Sequence, residues 1–377
     1  MPQSPLELAK VKTAMVTGSA VFWIAVIVVY LHDRGLSLPQ IYSLIAIYYG
    51  SVVLLEFPTG ALGDHYSHKW TAGIGYIVTG GFFFGLGFAG SYWYYALLLL
   101  IGSLGITLTS GNDTATLHAL SPNFRHDQSQ VKFWAAMMQV VTTALGSILL
   151  RVNLGLPFWL NGCFLLVAAI AMLSVKKIPQ TRASGHPVAT AWRALRYVIA
   201  HQPVRRLLLL IGAAGAFFLS VKWFFNPLLQ GLHIPLALWG TLIGLTLVTP
   251  LLGIWIYRRQ QVEKKLWPPV GIFVLAVAPL GLTTAGFWPL AALYLVMIAY
   301  GYLDTDLSIR LNETIKTSER ASILSIASLF QRLGTSIYTP IAGLLLARSS
   351  LGAVMLITAV VLAFIMVPTA ISVSRAS

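Results

Sequence analysis

Five ionisable side chains stand inside long apolar runs: Glu56, Lys222, Asp304, Asp306 and Arg332. Charge in hydrocarbon is costly, so such residues face a bundle interior and mark substrate or proton paths. An acid there can carry a proton, and a cation can hold an anionic substrate or pair with an acid. Asp304 and Asp306 point to different sides of a helix, because residues two apart do not share a face. That leaves one of them to face a cavity. Asp304, the deeper, is the expected proton carrier together with Glu56, and Asp306 serves the inner helix end. The competing arrangement is a static Asp304–Arg332 salt bridge locking two helices. Lys222, beside Trp223, either snorkels outward or faces the cavity and favours an anionic substrate.

Asp304-Thr305-Asp306 also has the shape of a metal-binding DxD. It sits in an apolar run without further carboxylates nearby, and no GxSxG, HExxH or P-loop pattern occurs. A membrane-embedded metal-dependent enzyme is therefore the remote alternative, and no metal or cofactor is expected. A receptor or scaffold would give the intramembrane charges no role.

These residues need elements that hold them in a bilayer. The chain has 377 residues, 57% hydrophobic and 10% charged, where soluble domains carry about 25% charged residues. A soluble fold of this length could not hide so much apolar surface. Net charge is +14, but the Lys and Arg residues lie in short clusters between apolar runs, as in membrane loops. Nucleic-acid binding needs them gathered on one water-exposed face, so it is excluded as a reading. Cys163 is the sole cysteine and allows no internal disulfide. The first apolar run is too long for a cleavable signal and is expected to remain as the first span.

A spanning helix needs about 20 mainly apolar residues. Twelve such segments are predicted: 12–32, 40–63, 70–90, 93–115, 131–150, 157–175, 207–230, 236–257, 267–287, 289–309, 321–347 and 352–373. With the N-terminus in the cytoplasm, the outer segments hold only Arg34, Arg151 and Arg348, while Lys222 and Arg332 fall within helices. Every other Lys and Arg is then inside, as the positive-inside rule requires, and both termini are cytoplasmic. At 1.5 Å per residue, Arg332 lies about 16 Å into helix eleven and Lys222 about 22 Å into helix seven. Three parts are expected: an N-terminal six-helix bundle (1–175), a cytoplasmic linker (176–206) and a C-terminal six-helix bundle (207–377). The linker's end, from Ala191 to Arg206, mixes apolar and basic residues and suits an amphipathic helix on the inner leaflet. A faint repeat pairs Gly60 with Gly253, Lys132 with Arg320, and Gly146 with Gly334.

The most telling segment is Glu56-Phe57-Pro58-Thr59-Gly60-Ala61-Leu62-Gly63-Asp64-His65-Tyr66-Ser67-His68-Lys69. It resembles the signature of the major facilitator superfamily between helices two and three, in a version frequent among bacterial drug-efflux-type members. Gly60, Asp64 and Lys69 match, whereas His65, Ser67 and His68 stand where the pattern has a basic residue, glycine and arginine. The resemblance implies a twelve-helix, all-α integral membrane fold of two pseudo-symmetric six-helix bundles, with this turn as a cytoplasmic gate. The histidines make that gate weaker and pH-sensitive, because imidazole titrates near neutrality. Ser110-Gly111-Asn112-Asp113 closes helix four and resembles the small-Gly-polar-acid pattern of some drug-efflux members. There Asp113 is the expected gate partner of His68 or Lys69, against a plain helix-end acid.

Most tryptophans suit interface belts, but Trp23 and Trp223 lie deeper and could stack on a substrate. Gly81 and Gly85 form a GxxxG pair for helix packing. The expectation is a monomeric secondary transporter in a bacterial plasma membrane, its halves rocking around a midplane site. It would couple protons to efflux of a small amphipathic molecule, with membrane lipids around it. Uptake or exchange of a small, anionic metabolite is the alternative, and lipid flipping the second.

Overall fold

A computed structural model describes residues 5–176, 187–259, 265–282, 288–315 and 320–374. Most of the apolar residues described are helical, as a bilayer demands of a span whose backbone must satisfy itself. Two compact units are present: Met1–Ser184 with Pro235–Leu247, and Gly185–Ile234 with Val248–Ser377.

The first unit holds α1 (Pro5–Thr17), α2 (Ile27–Asp33), α3 (Leu38–His65), α4 (His68–Leu86), α5 (Tyr92–Thr109), α6 (Asn112–Leu120), α7 (Phe124–Val152) and α8 (Leu156–Leu173). The second holds α9 (Pro187–Ala200) and α10 (Gln202–Gly231). After α11 (Leu236–Val248), most of which belongs to the first unit, the second continues with α12 (Pro250–Arg259), α13 (Trp267–Val277), α14 (Pro279–Leu282), α15 (Trp288–Thr314), α16 (Arg320–Leu346) and α17 (Leu351–Ser374). Large apolar side chains stay outside the core, among them Phe364 at 83% exposure and Leu54 at 77%. Water would not tolerate that surface, whereas lipid solvates it.

Four predicted spans are interrupted. Helix one breaks between Thr17 and Ile27, and helix four at Ser110-Gly111, where Gly111 takes φ +78°. Helix eight breaks before Pro250, and helix nine before Pro279, because proline brings no N–H and its ring crowds the preceding turn. Helix seven starts earlier than predicted, at Gln202, directly after α9.

In the first unit, α4 packs on α5 through glycines. A Cβ on Gly75 would lie 2.4 Å from Thr109 Oγ1, and one on Gly105 would lie 2.3 Å from Thr79 Oγ1. Of the GxxxG pair read from the sequence, Gly85 packs on α5, where its Cβ would lie 2.8 Å from Leu98 Cδ2, while Gly81 meets open space. The charged face of α1 ties the ends of two other helices. Glu7 Oε1 accepts from Lys10 Nζ at 2.9 Å, and Glu7 Oε2 accepts from the Lys176 amide at 2.6 Å. Lys10 also donates to the Ser174 carbonyl at 3.1 Å, beyond the end of α8. Lys12 Nζ meets Asp127 of α7 at 2.6 Å, and Ser121 donates to the other oxygen of that acid.

Candidate functional site

In the second unit, α10 and α15 bring the expected chemistry together. Phe218 of α10 stacks on Tyr300 of α15, ring centroids 3.9 Å apart and nearly parallel at 5°. The Tyr300 hydroxyl donates to Asp304 Oδ1 at 3.3 Å, one turn along the same helix. Lys222 stands one turn from Phe218 in the opposite direction, half-buried, with its Nζ 5.1 Å from the centroid of Trp223. An acid and a base thus flank the aromatic pair, separated along the helix axes by about two turns, or about 11 Å. Trp223 itself is buried at 5% exposure. Arg332 lies half-buried on α16, and the hydrogen-bond partner of Asp304 is Tyr300 rather than Arg332.

Asp306 has a different setting. It is 1% exposed. Its Oδ1 accepts from Arg310 Nε at 3.1 Å and from the Tyr257 hydroxyl at 3.3 Å. The backbones of α12 and α15 come close enough that a Cβ on Gly253 would lie 2.0 Å from the Ile298 carbonyl oxygen. Asp306 therefore belongs to a packed ion pair, while Asp304 is half-buried and bonded to one hydroxyl.

The first unit supplies Trp23, in the turn between α1 and α2, with its ring 5.6 Å from Phe83. Glu56 lies half-buried on α3, two residues before Pro58. The Thr59 hydroxyl donates to the Leu55 carbonyl at 2.8 Å, in the stretch where the proline interrupts the backbone ladder. Of the signature turn, Gly60, Asp64 and His65 lie on α3, and the surroundings of Gly60 and the side chains of Asp64 and His65 are outside what is described. His68 Nδ1 meets Asn112 Oδ1 at 2.7 Å, and Lys69 Nζ donates to the Val175 carbonyl. Asp113 turns elsewhere: it accepts from the Thr114 amide at 2.6 Å and lies against the Tyr76 hydroxyl. Gly111, with its positive φ, lets the chain leave α5 and re-enter α6 at this angle. The histidine of the turn is thus met by the residue before the expected acid.

Sequence reasoning missed three further polar groups. Asn161 and Thr142 hold the backbone of the turn around Trp23. Asn226, next to Pro227 of α10, is 1% exposed, and neither amide atom has a hydrogen-bond partner among the described residues. A lone Asn in an apolar run carries no local signal of its partner.

The family model described as Major Facilitator Superfamily matches residues 13–305. Among curated proteins, none matches the chain in sequence. A solved structure of the nucleoside transporter NupG superposes with a TM-score of 0.80 over 97% of this chain and 98% of its own, at 16% identity. A bacterial homologue of the human lysosomal transporter Spinster, in an inward-facing and unoccupied conformation, gives 0.77 over 98% and 96%, at 13% identity. At such identities the likeness speaks for the fold alone.

Proposed function

The chain belongs to the Major Facilitator Superfamily, and on that premise we propose that it is a proton-coupled secondary transporter that exports a small amphipathic molecule by alternating access. The moving parts are the two halves expected from the sequence, 1–175 and 207–377, with 176–206 as linker. Secondary transport follows from membership; coupling, direction and substrate are our reading. We place both termini in the cytoplasm on the Lys/Arg asymmetry, and read the chain as a monomer of a bacterial plasma membrane.

The observation that carries the coupling is the contrast between two neighbouring acids. Asp306 is paired through Oδ1 with the Arg310 cation and the Tyr257 hydroxyl. Asp304 is half-buried in a span and has a neutral hydroxyl as its partner. A carboxyl without a cation on it can exchange a proton at low electrostatic cost. Lys222, Arg332 and Trp223 in the second unit, and Glu56 and Trp23 in the first, are the further groups we assign to substrate and proton. His68 and Lys69 act in a gate with Asp64 and His65, and Asp113 supports it through Thr114 and Tyr76.

A second reading is uptake of a small metabolite, favoured by Lys222 at one end of the aromatic pair. A thermal-shift screen on purified protein, followed by flux assays on the hits in proteoliposomes, separates the two. Export driven by an inward proton gradient is expected. Accumulation of a hit by the same vesicles in the opposite sense would replace the first reading with the second.

A further inference from the structure

The turn Gly18–Val26 is held in place from outside. The Val21 amide donates to Thr142 Oγ1 of α7 at 3.0 Å, and the Phe22 amide donates to Asn161 Oδ1 of α8 at 3.2 Å. Thr143 Oγ1 donates to the Val21 carbonyl at 3.5 Å. Thr142, Thr143 and Asn161 are 2%, 0% and 1% exposed. Gly146 makes the approach possible, since a Cβ there would lie 1.8 Å from the Phe22 carbonyl oxygen. Two amides that a continuous helix satisfies internally are here satisfied by α7 and α8. A buried amide left without an acceptor is expensive, so these two acceptors decide whether the broken form is the stable one.

The break sets the direction of Trp23. Within the turn, Ser19, Ala20, Ile24 and Val26 bond three residues back, a winding of about 120° per residue against about 100° in an α-helix. Rewinding the turn into a continuous α-helix would change the direction in which the Trp23 side chain points. The other half has a matching contact without a break: Gly334 lies against Ala216 of α10, and Thr335 Oγ1 donates to the Ala216 carbonyl at 3.3 Å. Yet α10 runs unbroken from Gln202 to Gly231. The interruption is therefore present in helix one and absent from its counterpart, helix seven. Irregular backbone at membrane depth is found where it is buried in protein or lines a water-filled cavity.

We propose that Asn161, with Thr142, is a positioning residue for Trp23: the two side chains fix the broken form of helix one and so set where the indole stands on the transport path. This rests on the reading above that Trp23 lines that path. The test uses the full chain with Cys163→Ser and Trp23→Cys, reacted in membranes with 2-sulfonatoethyl methanethiosulfonate. Asn161→Asp keeps an oxygen acceptor, whereas Asn161→Leu keeps the volume without one; Thr142→Val does the same at the neighbouring amide. The labelling rate at position 23 should stay within about twofold of the parent in Asn161→Asp and change by about tenfold or more in Asn161→Leu and Thr142→Val. Equal rates in all backgrounds, an Asp variant as altered as the Leu variant, or no labelling in the parent would overturn the proposal. If Asn161→Leu fails to fold, Thr142→Val decides alone. Proteoliposomes that move no substrate while the labelling pattern holds would sink the functional reading and leave the positioning role standing.

Discussion

Tyr300 donates its hydroxyl to Asp304 at 3.3 Å while its ring lies flat on Phe218 at 3.9 Å. One side chain thus does two separable things: it packs two helices and it orients an acid. Tyr300→Phe keeps the stack and removes one hydrogen bond, a loss of about 1 kcal/mol. Its melting temperature should be nearly that of the parent, with transport slowed. Tyr300→Ala removes the stack as well and should cost about 3–5 kcal/mol. Thermal unfolding in detergent of the two variants side by side checks this order.

Asp306 should matter for stability more than for transport. Asp306→Ala takes the buried acid out of its ion pair with Arg310, and removing one member of a buried pair costs about 3–5 kcal/mol. Asp304→Ala removes an acid held by one hydroxyl and should cost clearly less. Chemical denaturation of both variants gives the comparison; equal losses would mean that the two acids share one structural role.

The acid response has a local origin at Glu7, outside the spans. Hydrogen bonds from Lys10 and from the Lys176 amide hold its carboxyl below the usual range. The folded value is lower than the unfolded one, so the stabilisation is present above about pH 4.3 and is lost as pH falls through the depressed folded value. Melting temperature on acidification from about pH 5 to about pH 3 should drop more in the parent than in Glu7→Gln. Parallel curves would remove Glu7 from the acid response.

Gly146→Ala should be among the most harmful small substitutions in the first unit. Its Cβ would collide with the Phe22 carbonyl oxygen at 1.8 Å, and backbone on both sides cannot give way cheaply. Overpacking of this kind costs about 1–3 kcal/mol or more. Gly81→Ala meets nothing within 4 Å and should be neutral or slightly stabilising in the helix. Expression and melting temperature of the pair test the contrast.

The twelve helical segments and the family were legible in the sequence because hydropathy and the turn at 56–69 act locally. Breaks at Pro250 and Pro279 carry a local mark, but the break at Gly18–Val26 carries none. It is imposed by Thr142 and Asn161, more than a hundred residues away in the chain, and no local propensity encodes a partner at that distance. The same holds for the two acids: their spacing indicates opposite faces, but only packing decides that Arg310 and Tyr257 meet Asp306 while Tyr300 meets Asp304. At the turn, Asn112 and Asp113 were both in view, and the φ of Gly111 determines which of them His68 reaches.

The most direct test of the account is proton flux in proteoliposomes loaded with a pH-sensitive dye. Addition of a compound that raises the protein's melting temperature should drive proton movement in vesicles carrying the parent chain. It should drive none in vesicles carrying Asp304→Asn, which remains folded and still binds the compound. Full compound-driven proton movement through Asp304→Asn would contradict the assignment of Asp304 as the coupling acid.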